Sequence, residues 1–290
     1  KSVFALEKRS VGLQHGGADK GSILALAHHV LASKDAGRKF GLIQQNLTET
    51  TNNMSQLWSL FIDVTETSKK KKEEMSWRTL ATSNEGLVNG LVKEGVITSR
   101  FVEAAMRRVD RGLFVLEGSQ AYYDAPQSIG CGQTISAPHM HCFALQALVD
   151  KVEKEKCRLL DVGAGSGYFA ALLAAAAPAS AHIEAVELVP ELVEMARKNL
   201  AKAGMSERVR VELGNGWEEL KGGPYDAIHV GAAAATLPQS LVDALSPDGG
   251  KLLIPLGQQG EAQYLTLITR NGDKTESERL MGVQYVPLKK

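Results

Sequence analysis

The stretch that most constrains this 290-residue chain is Leu159-Leu160-Asp161-Val162, which runs into Gly163-Ala164-Gly165-Ser166-Gly167 and then into an alanine-rich segment. The first four residues read as a short buried strand, and the apolar run Ala170–Pro178 as a buried helix. Between them, glycines at alternate positions let the backbone turn sharply and let a ligand approach the main chain closely. Strand, glycine turn and helix in that order begin a βαβ unit, in which the next strand lies parallel to the first.

The sequence beyond the turn keeps this alternation. Strands are expected over Arg158–Val162, His182–Leu188, Arg208–Leu213 and Asp226–Val230, and helices over Tyr168–Ala177, Pro190–Ala203 and Pro238–Leu245. Lys251–Leu256 and Tyr264–Thr269 are two further strands with no helix between them, which makes them an antiparallel pair at one edge. Gly282–Leu288 is the candidate for a last strand. The expected fold is α/β, a doubly wound and mainly parallel sheet. An N-terminal helical subregion precedes it. Leu87, Val88, Leu91 and Val92 recur at helical spacing before Gly95. Thr98 or Ser99 caps a second helix with the face Val102, Ala105, Met106 and Val109. Tyr122–Thr134 reads as loop or short strands, and Pro138 opens a helix to about Val149.

Charge narrows the function classes. Lys+Arg and Asp+Glu both number 33, so the basic excess of a nucleic-acid binder is missing. No apolar run is long enough to cross a membrane. Cys131, Cys142 and Cys157 show no metal-ligand spacing, and a low, odd count suits a reducing compartment. Cys142 near His139 and His141 reads as a packed thiol, and no metal is expected. Residues 1–74 read as an N-terminal extension, disordered or weakly structured, with a Lys69–Lys72 run typical of a solvated linker. The globular pattern covers 75–290. The expected location is cytoplasmic, residues 1–74 being the segment able to redirect the chain to an organelle or the nucleus.

The glycine turn says which ligand to look for. A dinucleotide loop reads G-x-G-x-x-G, and its third glycine would fall where Tyr168 stands. The spacing here is G-x-G-x-G after an acid, Asp161, and it resembles the first motif of the S-adenosylmethionine methyltransferases. Glu187 ends the second strand, 24 residues beyond Gly163, where a carboxylate can accept from ribose hydroxyls. The third strand ends in Gly214-Asn215-Gly216, with Asn215 able to bond an adenine edge. The fourth runs into Gly231-Ala232-Ala233, small residues that leave room at a strand tip.

Longer blocks carry a closer resemblance. Asp124-Ala125-Pro126-Gln127-Ser128-Ile129-Gly130 precedes Gln133-Thr134-Ile135-Ser136-Ala137-Pro138-His139-Met140-His141. Pro224 to Ala232 and Tyr285-Val286-Pro287-Leu288 are further blocks. From about Met75 to Leu288 the sequence resembles the protein-L-isoaspartate (D-aspartate) O-methyltransferases. The resemblance implies a class I methyltransferase fold and S-adenosyl-L-methionine as cofactor. It implies isoaspartyl-containing proteins and peptides as substrates, acted on by a monomer without nucleic-acid or membrane partners. It implies Ser136 as the active-site serine. For the cofactor it implies Gln133, Thr134, Ile135, Ser136 and His141, then Gly163, Gly165 and Ser166 in the glycine turn. Glu187 and Leu188 would meet the ribose, and Asn215 and Gly216 the adenine. Two positions depart from the usual pattern: Asn215 replaces an Asp, and Ala164 a frequent Ser. The alternatives are a class I methyltransferase with another substrate, and a cofactor-binding protein that has lost turnover, with Asn215 the suspect.

The implied chemistry is undemanding in proton transfer. A carboxylate is already ionised at neutral pH, so a methyl acceptor of this kind needs no general base. Ser136 is expected to orient the acceptor, helped by free amides at the start of the helix at Pro138. His139 is expected to be structural.

Overall fold

The computed structural model describes residues 81–217, 220 and 222–288. The expected extension over 1–74, its lysine run and the start of the globular pattern at 75 lie outside them. Two helices open the described chain. In α1 (Asn84–Lys93) the Ser83 side chain accepts from the Gly86 amide, while Leu87, Val88 and Leu91 face inward. In α2 (Arg100–Arg108), Val102, Ala105 and Met106 are buried. Ser99 stands at the N-cap of α2 without a side-chain bond. Instead Gln146 Oε1 accepts from the amide and hydroxyl of Thr98 and from the Ser99 amide. A 3-10 turn over Arg111–Phe114 leads to an antiparallel hairpin of β1 (Gln127–Gly130) and β2 (Gln133–Ile135), then to α3 (Pro138–Val152).

The sheet follows: β3 (Arg158–Val162), α4 (Tyr168–Ala176), β4 (His182–Glu187), α5 (Pro190–Lys202), β5 (Val209–Leu213), β6 (Ala227–Val230), α6 (Gln239–Asp243), β7 (Asp248–Leu256), β8 (Gln263–Asn271) and β9 (Lys274–Val283). Its order is β5-β4-β3-β6-β7-β8-β9. The five strands β3 to β7 pair in parallel, whereas β8 and β9 pair antiparallel. The chain winds outward from β3 to β5 and returns to lay β6 on the other side of β3. That reversal opens a crevice at the carboxyl ends of β3 and β6, the usual place for a ligand in an open α/β sheet.

Period-two alternation sorts the core onto two faces. Leu159, Ala227 and Leu253 join the cluster that includes α3, α4 and α5. Leu160, Val162, Ile228, Val230, Leu252 and Ile254 join the other, with Leu241 and Val242 of α6. Helix α4 is apolar all round, as a helix enclosed on every side must be. Gly167 before it has φ +86°, and a Cβ there would press on Ala196 of α5 at 3.1 Å. Only glycine meets both demands.

The last strand differs from expectation. β9 is Lys274–Val283, and residues 285–288 form a strap instead, pairing Pro287 with Ala233. The reason is exposure. β9 is an edge strand, solvated over Lys274–Leu280, so it carries Lys-Thr-Glu-Ser-Glu-Arg and lacks the apolar alternation that marks a half-buried strand.

Candidate active site

The crevice is a cleft of about 650 Å³. Its floor is the tips of β3 and β4 through Val162 and Val186, and one wall is Gly163 and Gly165. Glu187 and Leu188 form the next wall, Gly214, Asn215 and Gly216 the far end, and Gly231 and Ala232 the near side. Ile129, Gln133 and Thr134 of the hairpin and Val286, Pro287 and Leu288 of the strap complete it. The strap is pinned to β6's outgoing loop, with the Ala233 amide donating to Val286 O and the Leu288 amide to Ala233 O. A second chamber of about 350 Å³ shares Thr134, Gly163, Gly165 and Gly231 with the first. It adds Ile135, Ser136, His141, Asp161, Ser166 and His229. The two adjoin at these shared residues, and between them their linings include every site residue named from the sequence.

Glu187 is nearly enclosed, at 7% exposure. Oε2 accepts from the Gly165 amide at 2.8 Å, and Oε1 from the Leu188 and Val189 amides at 2.8 and 3.0 Å. A carboxylate has about four acceptor positions, so Oε2 keeps one for a ligand. Asn215 Oδ1 accepts from the Trp217 amide at 3.0 Å, which fixes the side chain at the strand tip. Gly216 is glycine for a steric reason, since a Cβ would collide with Val162 Cγ1.

Ser136 lies just before α3. Beneath it runs Arg111, wholly buried, whose Nη2 donates to Ser136 O and Nε to Ala121 O. Burial holds the Arg111 pKa down at about 10, against the raising pull of Tyr168, Asp124 and Cys142. The expectation of free helix amides around Ser136 requires correction at His139. The His139 amide donates to Asp124 Oδ1 at 3.0 Å, and His139 Nδ1 meets the same oxygen at 2.8 Å. The Met140 amide turns back to Ala137 O. Asp124 thus already occupies the anion position at this helix end, which leaves the Ser136 hydroxyl as the donor suited to an acceptor carboxylate. His139 is the structural histidine expected.

His141 is buried against Tyr168 and Phe169. Burial first, then the charges of Arg111, His229 and His139, keep its pKa well below the usual histidine value, so the ring is neutral. Burial raises the Cys142 thiol to about 12, which makes it inert. Among the described residues no group of three or more His, Cys, Asp or Glu could hold a metal.

Two residues that sequence reasoning passed over enter here. His229 binds Asp161 across the switch point, at 2.7 Å. A histidine inside the otherwise apolar strand Ala227-Ile228-His229-Val230 was the available signal, because a buried polar group needs a partner. Arg111 gave no such signal: Arg111-Gly112-Leu113-Phe114 has no apolar pattern that betrays its burial.

The sheet order, the glycine turn and the position of the cleft define a class I methyltransferase. The protein-L-isoaspartate(D-aspartate) O-methyltransferase family model matches residues 82–290. Protein-L-isoaspartate O-methyltransferase 2 of Arabidopsis thaliana is 42% identical over 227 residues, covering 74% of this chain and 71% of its own length. Protein-L-isoaspartate O-methyltransferase 1 of the same plant is 43% identical, covering 71% of this chain and 90% of its own. A crystal structure from Plasmodium falciparum, assigned as a protein-L-isoaspartate O-methyltransferase and in complex with S-adenosyl-L-homocysteine, superposes with a TM-score of 0.66. It is 31% identical and covers 72% of this chain and 99% of its own. The chain belongs to the protein-L-isoaspartate (D-aspartate) O-methyltransferase family.

Proposed function

We propose that this protein uses S-adenosyl-L-methionine to methylate the side carboxylate of L-isoaspartyl and D-aspartyl residues in damaged proteins and peptides, the first step of their repair. The observation that carries the reading is the chemistry of the inner chamber. Asp161 Oδ2, Ser166 Oγ and His141 Nδ1 are buried there with no hydrogen-bond partner among the described residues. Buried polar atoms are normally bonded, so these three call for a ligand carrying both donors and acceptors. An amino-acid tail is such a group, and the glycine turn beside them fits it. Glu187, with one acceptor position left, suits a ribose hydroxyl, and Leu188 flanks it. Asn215 and Gly216 suit the adenine. Gln133, Thr134 and Ile135 cover the bound cofactor, with His141 behind them.

S-adenosylmethionine supplies an electrophilic methyl group, which the carboxylate accepts to become a methyl ester. The residues of this chain then have three tasks. Ser136 donates a hydrogen bond to the incoming carboxylate and aims it. Arg111 holds the Ser136 main chain, so the hydroxyl is preset before substrate arrives. The strap 285–288 and the hairpin 127–135 screen the site from water, where alignment matters most. The ester's closure to a succinimide needs no further group from the enzyme.

Residues 75–290 form the catalytic unit in this reading, with 1–74 an extension ahead of it. The protein acts as a cytoplasmic monomer. The cytoplasm is supported by three free cysteines, Cys131, Cys142 and Cys157. Among the described residues no helix is long and apolar enough to cross a membrane. The test is a labelled-methyl transfer assay on matched isoaspartyl and aspartyl peptides with the full chain. Labelling of the isoaspartyl peptide alone is expected; equal labelling, or none with intact cofactor binding, would reject the reading.

A further inference from the structure

The strap brings a phenol to the serine. β9 ends at Val283, whose register partner is Gln263 at the start of β8. Two residues further on, the Gln263 side chain takes over from the ladder. The Tyr285 amide donates to Gln263 Oε1 at 2.6 Å, and Gln263 Nε2 donates to Tyr285 O at 3.3 Å. Gln263 is 4% exposed, and this pairing serves both ends of its buried amide group. Val286 and Leu288 are bonded in turn to Ala233, so the strap is held on both sides of Tyr285. The Tyr285 phenol interacts with the Ser136 side chain as a hydrogen-bonding partner. Burial raises the pKa of that phenol, against the lowering pull of Ser136, so it is protonated at neutral pH.

Resting on the methyltransferase reading, we propose that Tyr285 is a positioning residue for methyl transfer, its phenol donating to Ser136 Oγ and turning the serine's own hydrogen toward the acceptor carboxylate. Arg111 fixes the serine's main chain, whereas the direction of the O–H bond is set by what the oxygen meets. A hydroxyl has one donor and two acceptor positions. A phenol that fills one acceptor position leaves the hydrogen free for the substrate. Donation also polarises the serine, which strengthens its bond to an anion. The reverse order, serine donating to phenol, would turn the serine's lone pairs toward that anion. Gln263 acts one step further back, by setting where the phenol stands.

Two other roles compete: a phenol that only packs the strap, and one that meets the acceptor carboxylate by itself. A double-mutant cycle on the full chain separates them. Y285F keeps the ring and removes the oxygen. With S-adenosylmethionine saturating, it should lower kcat/KM for an isoaspartyl peptide about three- to tenfold, the scale of a neutral hydrogen bond. In the S136A background the same change should cost less than about twofold, because the serine through which Tyr285 acts is gone. Calorimetry should show the affinity of Y285F for S-adenosylhomocysteine within about twofold of wild type. An unchanged kcat/KM, the same loss in both backgrounds, or a loss of cofactor affinity as large as that in kcat/KM would overturn the assignment.

Should Y285F fail to fold, Q263L tests the same link from the other side. It keeps the phenol and the serine and releases the clamp on the Tyr285 main chain. With cofactor saturating, its loss in kcat/KM should again be larger in the wild-type background than in S136A. Equal losses in the two overturn the proposal. A wild-type chain that labels the isoaspartyl peptide while Y285F matches it rejects this assignment alone. A wild-type chain that labels no peptide removes the methyltransferase reading and this assignment together.

Discussion

Arg111 Nη2 donates to the main-chain carbonyl of Ser136 across 2.9 Å, from a position with no exposure to solvent. The link joins the 3-10 turn before the hairpin to the serine proposed to orient the acceptor. Arg111→Met should leave the buried Ala121 O without its donor, at a cost of about 1–3 kcal/mol, and the part-buried Ser136 O without its donor at a smaller cost. Denaturant unfolding should report a loss of several kcal/mol. Arg111→Lys, unable to serve two carbonyls with the geometry of a guanidinium, should recover part of it.

Ser136→Ala tests orientation. A hydrogen bond to a charged group is worth about 1.5–3 kcal/mol, so kcat/KM for an isoaspartyl peptide should drop roughly ten- to hundredfold. Affinity for S-adenosylhomocysteine should fall by much less than kcat/KM does. An unaltered kcat/KM would show that the serine is not the orienting donor.

His141 gives the protein a pH slope. Its folded-state pKa lies well below the usual value, from burial first and then from neighbouring positive charge. Below about pH 6.5 the unfolded chain therefore binds a proton that the folded chain refuses. Stability is full above that pH and falls as pH drops toward the folded-state value, by up to about 1.4 kcal/mol per unit. His141→Asn should flatten the dependence of unfolding free energy on pH by up to one proton below about pH 6.5.

Gly231→Ala probes the contact between the two strand tips. An added Cβ would lie 2.8 Å from Gly163 O, which is backbone and cannot swing aside. The tips of β3 and β6 must part. A loss of about 1–3 kcal/mol in stability is expected by analogy with overpacked cores. Calorimetry should also show weaker cofactor binding, since Gly163 and Gly231 line both chambers.

Much of this site could be read before any coordinates. The strand Arg158–Val162, the turn 163–167 and α4 lie within a residue or so of where apolar runs and glycine spacing put them. Glu187 and Asn215 come together because strand tips in a parallel sheet share one edge, and a strand–helix alternation already implies that edge; Gln133 to Ser136 join them from the separate antiparallel hairpin. Contacts between distant segments were not legible. Nothing near position 229 points to Asp161, 68 residues earlier, and nothing near 111 points to Ser136. Asp124 capping α3 was hidden in the same way, so the helix end looked open when it was filled. β9 escaped because solvent on both faces removes the periodic signal that a buried face imposes.

Three of the four acceptor positions on Glu187 are taken by amides of its own chain, one from the first glycine loop and two from its own turn. In the proposed reading, a ribose that reaches this corner meets a side chain with almost no freedom left to lose. The entropy of arranging that carboxylate is settled during folding, so a sugar of the wrong shape would find no alternative rotamer to receive it. The proposed selectivity for the sugar is then set by the fold itself.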